Sequence, residues 1–332
     1  MMPKKAEAGI QGHEEADFVA IPPMFIRPWN KGRFSIYLKQ GESYVLYTEK
    51  GEAFTESHRT KLSRMGIQQV YISAAQRQEY GQYLRENLGA LLEDEEIPMP
   101  KRAQAWYQAS STMAKNICES KLPRSYTKKD FAQVQDILKS SAAFFAKQDS
   151  LKQIAKFIKS GYKIYHHSLG VMVLTAFVLK TYEHTDENLL VKCCMGSLLH
   201  DIGKATLPQD VLDADPQLLT DYQNTLIKTH PSAGVGLCST LPLSQEAINC
   251  ILFHHERANG TGYPSGLAGE DLPFYVKVLS LCNAYDAATR PAAYRPAMSA
   301  FQALSSIKAY KEYYDMDAMK RLIVVLSDAK LT

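Results

Sequence analysis

The pattern of apolar and polar residues divides the chain into a short part with strand character and a long helical part. Around Gly41 and Gly51, the segment RFSIYLKQGESYVLYTEKGE alternates aromatic or β-branched residues with polar ones, which is typical of short antiparallel strands. SHRTKLSRMGI predicts a short helix that ends at Gly66, QQVYISA another strand, and AAQRQEYGQYLRENLGALLED an amphipathic helix. We therefore predict a small α+β regulatory domain over residues 18–95, preceded by a flexible polar tail over residues 1–17.

Helical spacing of apolar residues dominates the remainder of the chain. The segment EDEEIPMPK combines four acids with two prolines and predicts a linker. Residues 101–120 and 128–147 have helical periodicity, so we expect linker and connecting helices over 96–150. Residues 151–332 are predicted to form an all-α domain that contains one long irregular loop over 256–272. The predicted fold class is mainly α.

Composition and charge are those of an ordinary globular protein. Of the 332 residues, 45% are hydrophobic and 22% are charged, and the formal net charge is +3. This small charge predicts neither DNA nor a membrane surface as a partner. The six cysteines show no CxxC spacing, and the first residues lack the apolar run of a signal peptide. We therefore expect a reducing, cytoplasmic location.

Histidines are concentrated in one part of the chain, since seven of the nine fall between His166 and His255. The segment MGSLLHDIGK places His200 and Asp201 at the end of an apolar helix, with Gly203 available to terminate that helix. A buried carboxylate is costly unless it is paired or bound to a metal. Taken alone, however, this dipeptide is better explained as a chance pair that makes a hydrogen bond at a helix end.

Three further segments place histidines on apolar helices. HPSAGVG puts His230 before a proline that suits the first turn of a helix, and EAINCILFHHER ends a helix with His254 and His255. GYKIYHHSLGVMVLTAFVLK carries His166 and His167 on a helix that is apolar nearly all round, and periodicity does not choose between the two. Each histidine alone is more readily explained as a core or capping residue.

Together, five or six buried imidazoles and one carboxylate predict a metal site. Such ligands suit iron, manganese, nickel, cobalt or zinc better than calcium or magnesium. Asp201 can bridge two ions and a hydroxide, and two metals suit in-line attack on phosphorus. Lys204, one turn after His200, is placed to neutralise phosphate charge. Without the histidines, this lysine would be interpreted as a cation that offsets the helix dipole.

The motifs resemble those of the HD-GYP domain. HS at 167–168, LLHDIGK, HPSAG, HHERANGTGYPSGL and AYDAATRPAAYR follow the order and spacing of this family over about residues 150–315. The family is a branch of the HD metal-dependent phosphohydrolases that hydrolyses the bacterial second messenger cyclic di-GMP. The resemblance implies an HD-type helical fold, cyclic di-GMP as ligand, and two divalent transition-metal ions. Iron or manganese is preferred, with nickel, cobalt or zinc as alternatives.

The resemblance also implies roles for individual residues. It selects His167 over His166 because Ser168 follows, and it makes Asp201 and Lys204 the catalytic residues. The implied metal ligands are His167, His200, Asp201, His230, His254, His255 and Asn283. The implied substrate contacts are Lys204, Arg257, Gly262, Tyr263, Pro264 and Arg295. Gly260 and Gly262 permit backbone geometry that other residues resist, whereas Tyr263 alone is explained equally well by packing.

Several positions depart from the family pattern. Asn283 stands where the family has its last metal-ligating Asp, and because Asn brings no charge, metal affinity should fall. Asp286 is the second Asp of that pattern and cannot replace Asn283 unless the helix turns. Ala292 replaces the first Arg of RPYR, with Arg290 as an unaligned substitute. Lys163 stands where some members have a Glu that supports a third metal, which favours two metals here.

The sequence therefore predicts a metal-dependent phosphodiesterase in which a bridging hydroxide attacks cyclic di-GMP and yields the linear dinucleotide or GMP. The alternative is a weakened receptor or interaction module that binds cyclic di-GMP, or signalling proteins through the GYP loop. Asn283 and Ala292 favour the receptor, and the otherwise complete ligand set opposes it. Hydrolysis of another phosphoester is a third option, since fold does not fix substrate. A homodimer is compatible with each interpretation.

Overall fold

The computed structural model describes residues 17–28, 32–119, 128–158 and 164–331. The chain divides into two compact units, Met1–Ile97 and Pro98–Thr332. The predicted tail, apart from Asp17, and Lys163 lie outside the described residues. Within the described ranges, no helix combines the length and the apolar character needed to cross a membrane.

The first unit contains an antiparallel sheet whose strands lie in the order β1-β4-β2-β3. The strands are β1 Phe18–Ile21, β2 Ile36–Gln40, β3 Ser43–Thr48 and β4 Val70–Ser73, and the helices are α1 Glu56–Arg64, α2 Arg77–Glu86 and α3 Leu88–Glu93. The predicted strands and first helix are confirmed. The single amphipathic helix predicted after β4 was wrong: it is interrupted at Asn87, whose side-chain amide donates to the Tyr83 carbonyl over 2.8 Å.

The named secondary-structure elements in the described part of the second unit are all helices. Its first helices are α4 Met99–Glu119, α5 Lys128–Phe145, α6 Ser150–Ile158, α7 Ile164–Leu179, α8 Glu187–Leu199 and α9 Gln209–Asp213. They are followed by α10 Asp221–Ile227, α11 His230–Leu237, α12 Gln245–Phe253, α13 Phe274–Thr289, α14 Ala300–Ala309 and α15 Met316–Asp328. The predicted mainly α fold class, with a small α+β unit first, is confirmed.

Helix α7 lies at the centre of the second unit and packs against α8 and α13. It is apolar on all sides, and its residues Leu169, Val171 and Met172 are fully buried, because neighbouring helices cover its whole circumference. Helix α12 packs in turn on α8 and α11. The ends of these helices therefore meet in one place, and the histidines lie there.

Gly203 has a different role from the predicted one. Helix α8 already ends at Leu199, and Gly203 lies in a short 3₁₀ turn over Ile202–Thr206. A side chain at Gly203 would collide with the carbonyl oxygen of His230 at the start of α11. The glycine is therefore required for the close approach of this turn to α11, which brings His230 next to Asp201.

Candidate metal centre

Five elements deliver polar side chains to one buried point of the second unit. Helix α7 carries a histidine, the end of α8 a His-Asp pair, the start of α11 a histidine, the end of α12 two histidines, and α13 an asparagine. The structure brings together all the side chains that the sequence predicted as ligands: His167, His200, Asp201, His230, His254, His255 and Asn283.

Asp201 lies between two groups of histidines and is 1% exposed. Its Oδ2 atom is 3.5 Å from His200 Nε2 and 3.7 Å from His167 Nε2. Its Oδ1 atom is 3.3 Å from His230 Nε2 and 3.6 Å from His254 Nε2. Each carboxylate oxygen thus faces a different pair of imidazoles, and His255 completes the Oδ1 group, in which all candidate ligand atoms lie within 4.8 Å.

Main-chain carbonyls fix the orientation of three imidazoles. The Nδ1 atoms of His200, His230 and His254 donate over 2.7, 2.7 and 2.8 Å to the carbonyl three residues earlier in the chain. This bond selects the tautomer whose Nε2 lone pair points to Asp201, as metal-ligating histidines require.

The resulting lone pairs fit a cation. His200 Nε2 is buried and has no hydrogen-bond partner among the described residues. His230 Nε2 and His254 Nε2 are 3.1 Å apart, so two lone pairs face each other there. Two nitrogens each about 2.1 Å from one ion are about 3 Å apart when they subtend a right angle at it. These residues therefore fit a bound transition metal.

The electrostatics of the site favour the neutral form of His200, His254 and His255 and the ionised form of Asp201. Burial lowers the pKa of His254 and holds the pKa of His200 and His255 well below the ordinary value. Burial would raise the pKa of Asp201, but Lys204 and the histidines outweigh it and hold this pKa well below its usual range. Neutral imidazole and ionised carboxylate are the forms that bind metal.

His167 is held by a buried ion pair that the sequence did not single out. Its Nδ1 atom lies 2.8 Å from Asp286 Oδ2, and Asp286 is bound by both Nε and Nη2 of Arg290. A side chain in place of Gly170 would collide with both partners of this pair. The signal available in the sequence was the i, i+4 spacing of an acid and an arginine on one helix.

Asn283 lies beside the other nitrogen of the same ring. Its carboxamide oxygen is 2.9 Å from His167 Nε2. In the tautomer whose Nδ1 proton is donated to Asp286, Nε2 carries a lone pair, and a cation between Nε2 and the Asn283 oxygen would have both atoms as ligands. Asn283 is thus placed with the Oδ2 group of Asp201.

The glycine-rich loop packs against His255. The Tyr263 ring stacks on His255 with centroids 4.7 Å apart, and burial raises the pKa of its hydroxyl. Gly260 has a φ of +74°. A side chain at Gly262 would collide with the main chain of residues 255–257. The peptide bond to Pro264 is cis.

Two charged residues of the loop have partners within the unit. Glu256 is 1% exposed, and its Oε1 accepts hydrogen bonds from the amides of Ser265 and Gly266 over 2.7 and 3.1 Å. Glu256 therefore stabilises the loop conformation. The sequence did not predict this role, because a single acidic residue gives no periodic signal. The Arg257 guanidinium lies over the Tyr313 ring at 3.9 Å.

A cleft of about 990 Å³ opens onto the Oδ2 side of Asp201. Its polar lining includes His167, Lys204 and Arg290, and its apolar wall includes Leu207, Val211, Leu212, Pro216, Leu219 and Ile227. Of the predicted substrate contacts, Lys204 and Arg295 line this cleft, and Arg257, Gly262, Tyr263 and Pro264 are not among its lining residues.

Arg295 already has partners of its own. Its Nη1 donates to the carbonyls of Ala288, Arg290 and Pro296, and its Nη2 donates to that of Ala287 over 2.6 Å. The guanidinium therefore stabilises the end of α13 in this conformation.

Comparison with known proteins bears on this arrangement, because residues 132–318 match the HD domain family. The chain belongs to this family. A cyclic di-GMP phosphodiesterase of Pseudomonas aeruginosa is 29% identical to this HD domain protein over 196 residues, which cover 58% of the chain and 47% of that protein. A cyclic di-GMP phosphodiesterase response regulator of Xanthomonas campestris is 34% identical over 126 residues, covering 37% and 29%. The chain thus spans less than half the length of these relatives.

A solved structure supports the fold assignment of the HD domain. A protein of Bdellovibrio bacteriovorus, described as an HDG"Y"P protein, aligns with a TM-score of 0.64 at 21% identity. The alignment covers 94% of this chain and 100% of that one. At this identity the match shows a shared fold. Together, the comparisons confirm the resemblance to HD-GYP proteins.

Proposed function

We propose that this HD domain hydrolyses cyclic di-GMP in a metal-dependent reaction centred on Asp201. The observation that carries the proposal is the position of Asp201 between two histidine groups at the edge of a cleft of about 990 Å³. Pockets that enclose small-molecule ligands are commonly about 300 to 1,000 Å³. The relatives named cyclic di-GMP phosphodiesterases support the same substrate.

Two divalent ions would be held by the two groups of residues that share Asp201. On the Oδ2 side the ligands are His167, His200 and Asn283, and on the Oδ1 side they are His230, His254 and His255. Nitrogen and oxygen ligands of this kind suit iron or manganese, with nickel, cobalt or zinc as alternatives. When bound, such a pair supplies a hydroxide nucleophile and stabilises charge at phosphorus.

The protein's own residues orient and neutralise the phosphodiester. Lys204 is partly exposed in the cleft and can donate to a non-bridging phosphate oxygen as charge develops there. Asp286 accepts the Nδ1 proton of His167 and holds that ring in the orientation that binds metal. The apolar wall of the cleft, including Leu207 and Val211, would contact the apolar faces of the nucleotide. The product is the linear dinucleotide or GMP.

A second candidate function is reception of cyclic di-GMP without turnover. Asn283 favours it, because the amide oxygen beside His167 brings no charge. Within the described residues, Asp201 is then the one carboxylate of the two histidine groups. In that case the domain would signal through its GYP loop to other proteins.

The test is a turnover and binding assay on purified protein reconstituted with manganese, or with iron under anaerobic conditions. Products are separated by chromatography, and Asp201→Ala serves as the control because it removes the carboxylate shared by both groups. If the parent forms product, and Asp201→Ala loses both product formation and bound metal, hydrolysis at this site is supported. Binding without product supports the receptor. A parent that neither binds nor cleaves cyclic di-GMP contradicts both, and cleavage of another phosphoester alone identifies a different substrate.

A further inference from the structure

Lys204 forms an ion pair with one oxygen of Asp201, the carboxylate that both proposed metal positions share. Its Nζ atom lies 2.6 Å from Asp201 Oδ2, the oxygen that faces His167 and His200. The Oδ1 atom faces His230 and His254 instead, at 3.3 and 3.6 Å. The ammonium group therefore contacts Oδ2, and the contacts of Oδ1 described here are with histidines.

This contact makes the two positions unequal. An ion on Oδ2 would lie about 2.1 Å from that oxygen and hence within a few ångströms of the ammonium. Like charges at such distances repel strongly in a buried site, where water screens them little. The Oδ2 side is weakened a second time, because Asn283 contributes a neutral oxygen. The Oδ1 side instead offers three histidines.

The side chain of Lys204 is more exposed than that of Asp201. The side chain of Lys204 is 27% exposed and lines the cleft, whereas that of Asp201 is 1% exposed and surrounded by imidazoles. An anion that enters the cleft can therefore draw the ammonium away while Oδ2 stays in place. A phosphodiester is such an anion, and lysine binds phosphate as a flexible point charge.

We propose that Lys204 makes the two metal positions fill in sequence. The ion on the Oδ1 side binds first, and the ion on the Oδ2 side binds tightly once a phosphate in the cleft has taken Lys204 away from Asp201. Metal and phosphate then increase each other's affinity, as linkage requires. The identity of that phosphate as part of a cyclic dinucleotide rests on the proposed function, whereas competition between lysine and metal does not.

The decisive variant is Lys204→Met, which removes the charge, keeps the length and adds no hard ligand. Metal-free parent and variant are titrated with Mn²⁺, and bound metal is counted by equilibrium dialysis and elemental analysis. We expect the parent to bind one equivalent tightly and the second at least tenfold more weakly. In Lys204→Met the second equivalent should bind at least tenfold more tightly than in the parent, with no nucleotide present.

Two control variants separate charge from packing. Lys204→Arg keeps the positive charge and should keep the second equivalent weak. Lys192→Met removes a lysine whose ammonium pairs with Glu246 over 2.9 Å, so it should titrate like the parent. Far-UV circular dichroism on every variant shows whether it has folded. Unchanged affinity for the second equivalent in folded Lys204→Met overturns the proposal.

A second arm adds a phosphorothioate analogue of cyclic di-GMP to the parent. It should tighten the second Mn²⁺ equivalent in the parent and have no such effect in Lys204→Met. If Lys204→Met alone tightens the second ion and the analogue does not bind the parent, competition stands and cyclic di-GMP is the wrong ligand. If the analogue binds but leaves metal affinity unchanged in the parent, the coupling is overturned and cyclic di-GMP binding survives.

Discussion

The Nδ1 atom of His167 and the Oδ2 atom of Asp286 are 2.8 Å apart, and this bond orients the histidine at the edge of the metal centre. Asp286 is itself fixed by Arg290, which also donates to the Ile158 carbonyl over 3.2 Å. A carboxylate on the outer nitrogen of a ligating histidine sets its tautomer and raises its basicity. We therefore expect metal affinity at His167 to depend on the packing of α13 against α7.

Asp286→Asn should weaken metal binding without emptying the site. The amide cannot accept the Nδ1 proton as strongly and breaks the ion pair with Arg290, so affinity for the ion beside His167 should fall by about 10- to 100-fold. Binding of the first equivalent on the Oδ1 side should change little. Competition against a chelating dye measures both affinities.

The chain offers a matched control for this substitution. Asp317 and Arg321 form the same i, i+4 pair on α15, where Asp317 is exposed and Arg321 partly exposed, so Asp317→Asn should leave metal affinity unchanged. An equal loss in the two variants would mean that the effect is not specific to His167.

The fold and the clustering of the histidines around Asp201 were largely accessible from the sequence, and the side chains that hold these histidines in place were not. His230, His254 and Asp201 lie at helix ends next to apolar runs, where hydrophobic periodicity locates the helix and proline or glycine marks its end. These are local signals. The role of Gly203 was misassigned because its requirement comes from the His230 carbonyl, which is distant in sequence.

The same limit explains what the sequence did not provide for the loop. Glu256 accepts hydrogen bonds from the amides of Ser265 and Gly266, and the residues next to it in the sequence do not indicate that its carboxylate is buried. Periodicity did not choose between His166 and His167, and the packing of α13 against α7 is what brings Asn283 and Asp286 to His167. Contacts between residues that are distant in the sequence produce no periodic pattern from which they could be predicted.

Glu256→Ala should destabilise the helical unit and loosen the loop on His255. It leaves the amides of Ser265 and Gly266 without their acceptor and opens a small cavity, so the unfolding free energy should fall by about 1–3 kcal/mol. Urea denaturation measures the change. Glu246→Ala is the control, because that acid pairs with Lys192 near the surface and should cost less than about 1 kcal/mol. Equal losses in the two variants would show that Glu256 does not organise the loop.

The unfolding free energy of the metal-free protein should fall as the pH is lowered, because three buried histidines resist protonation in the folded state. Burial lowers the pKa of His200, His254 and His255, so below about pH 6.5 the unfolded chain takes up protons that the folded chain does not. Stability is therefore present above that pH and is lost as the pH falls, by up to about 1.4 kcal/mol per pH unit for each group. Urea unfolding in chelator between pH 7.5 and 5.5 measures the slope, and a flat profile would mean that water reaches these imidazoles.

Asn283→Asp should strengthen the metal position beside His167. The substitution is almost isosteric, so packing changes little, and it places a negative charge where the carboxamide oxygen lies 2.9 Å from His167 Nε2. Attraction between this charge and a divalent ion is strong in a partly desolvated site. We expect a second equivalent of Mn²⁺ at lower free metal, together with faster turnover if metal binding limits the parent.

Asn249→Asp adds the same charge to the same unit, on α12, where the native amide contacts Gln245 and Tyr275, and should leave metal content unchanged. Elemental analysis at limiting Mn²⁺ and cyclic di-GMP turnover are measured on all three proteins. A parent that binds the dinucleotide without cleaving it, and gains turnover in Asn283→Asp, is a receptor whose neutral ligand suppresses catalysis. A parent that already turns over rapidly shows that the amide oxygen suffices as a ligand. If Asn283→Asp changes neither metal content nor rate, Asn283 does not ligate metal, and its contact with His167 serves only to pack α13 against α7.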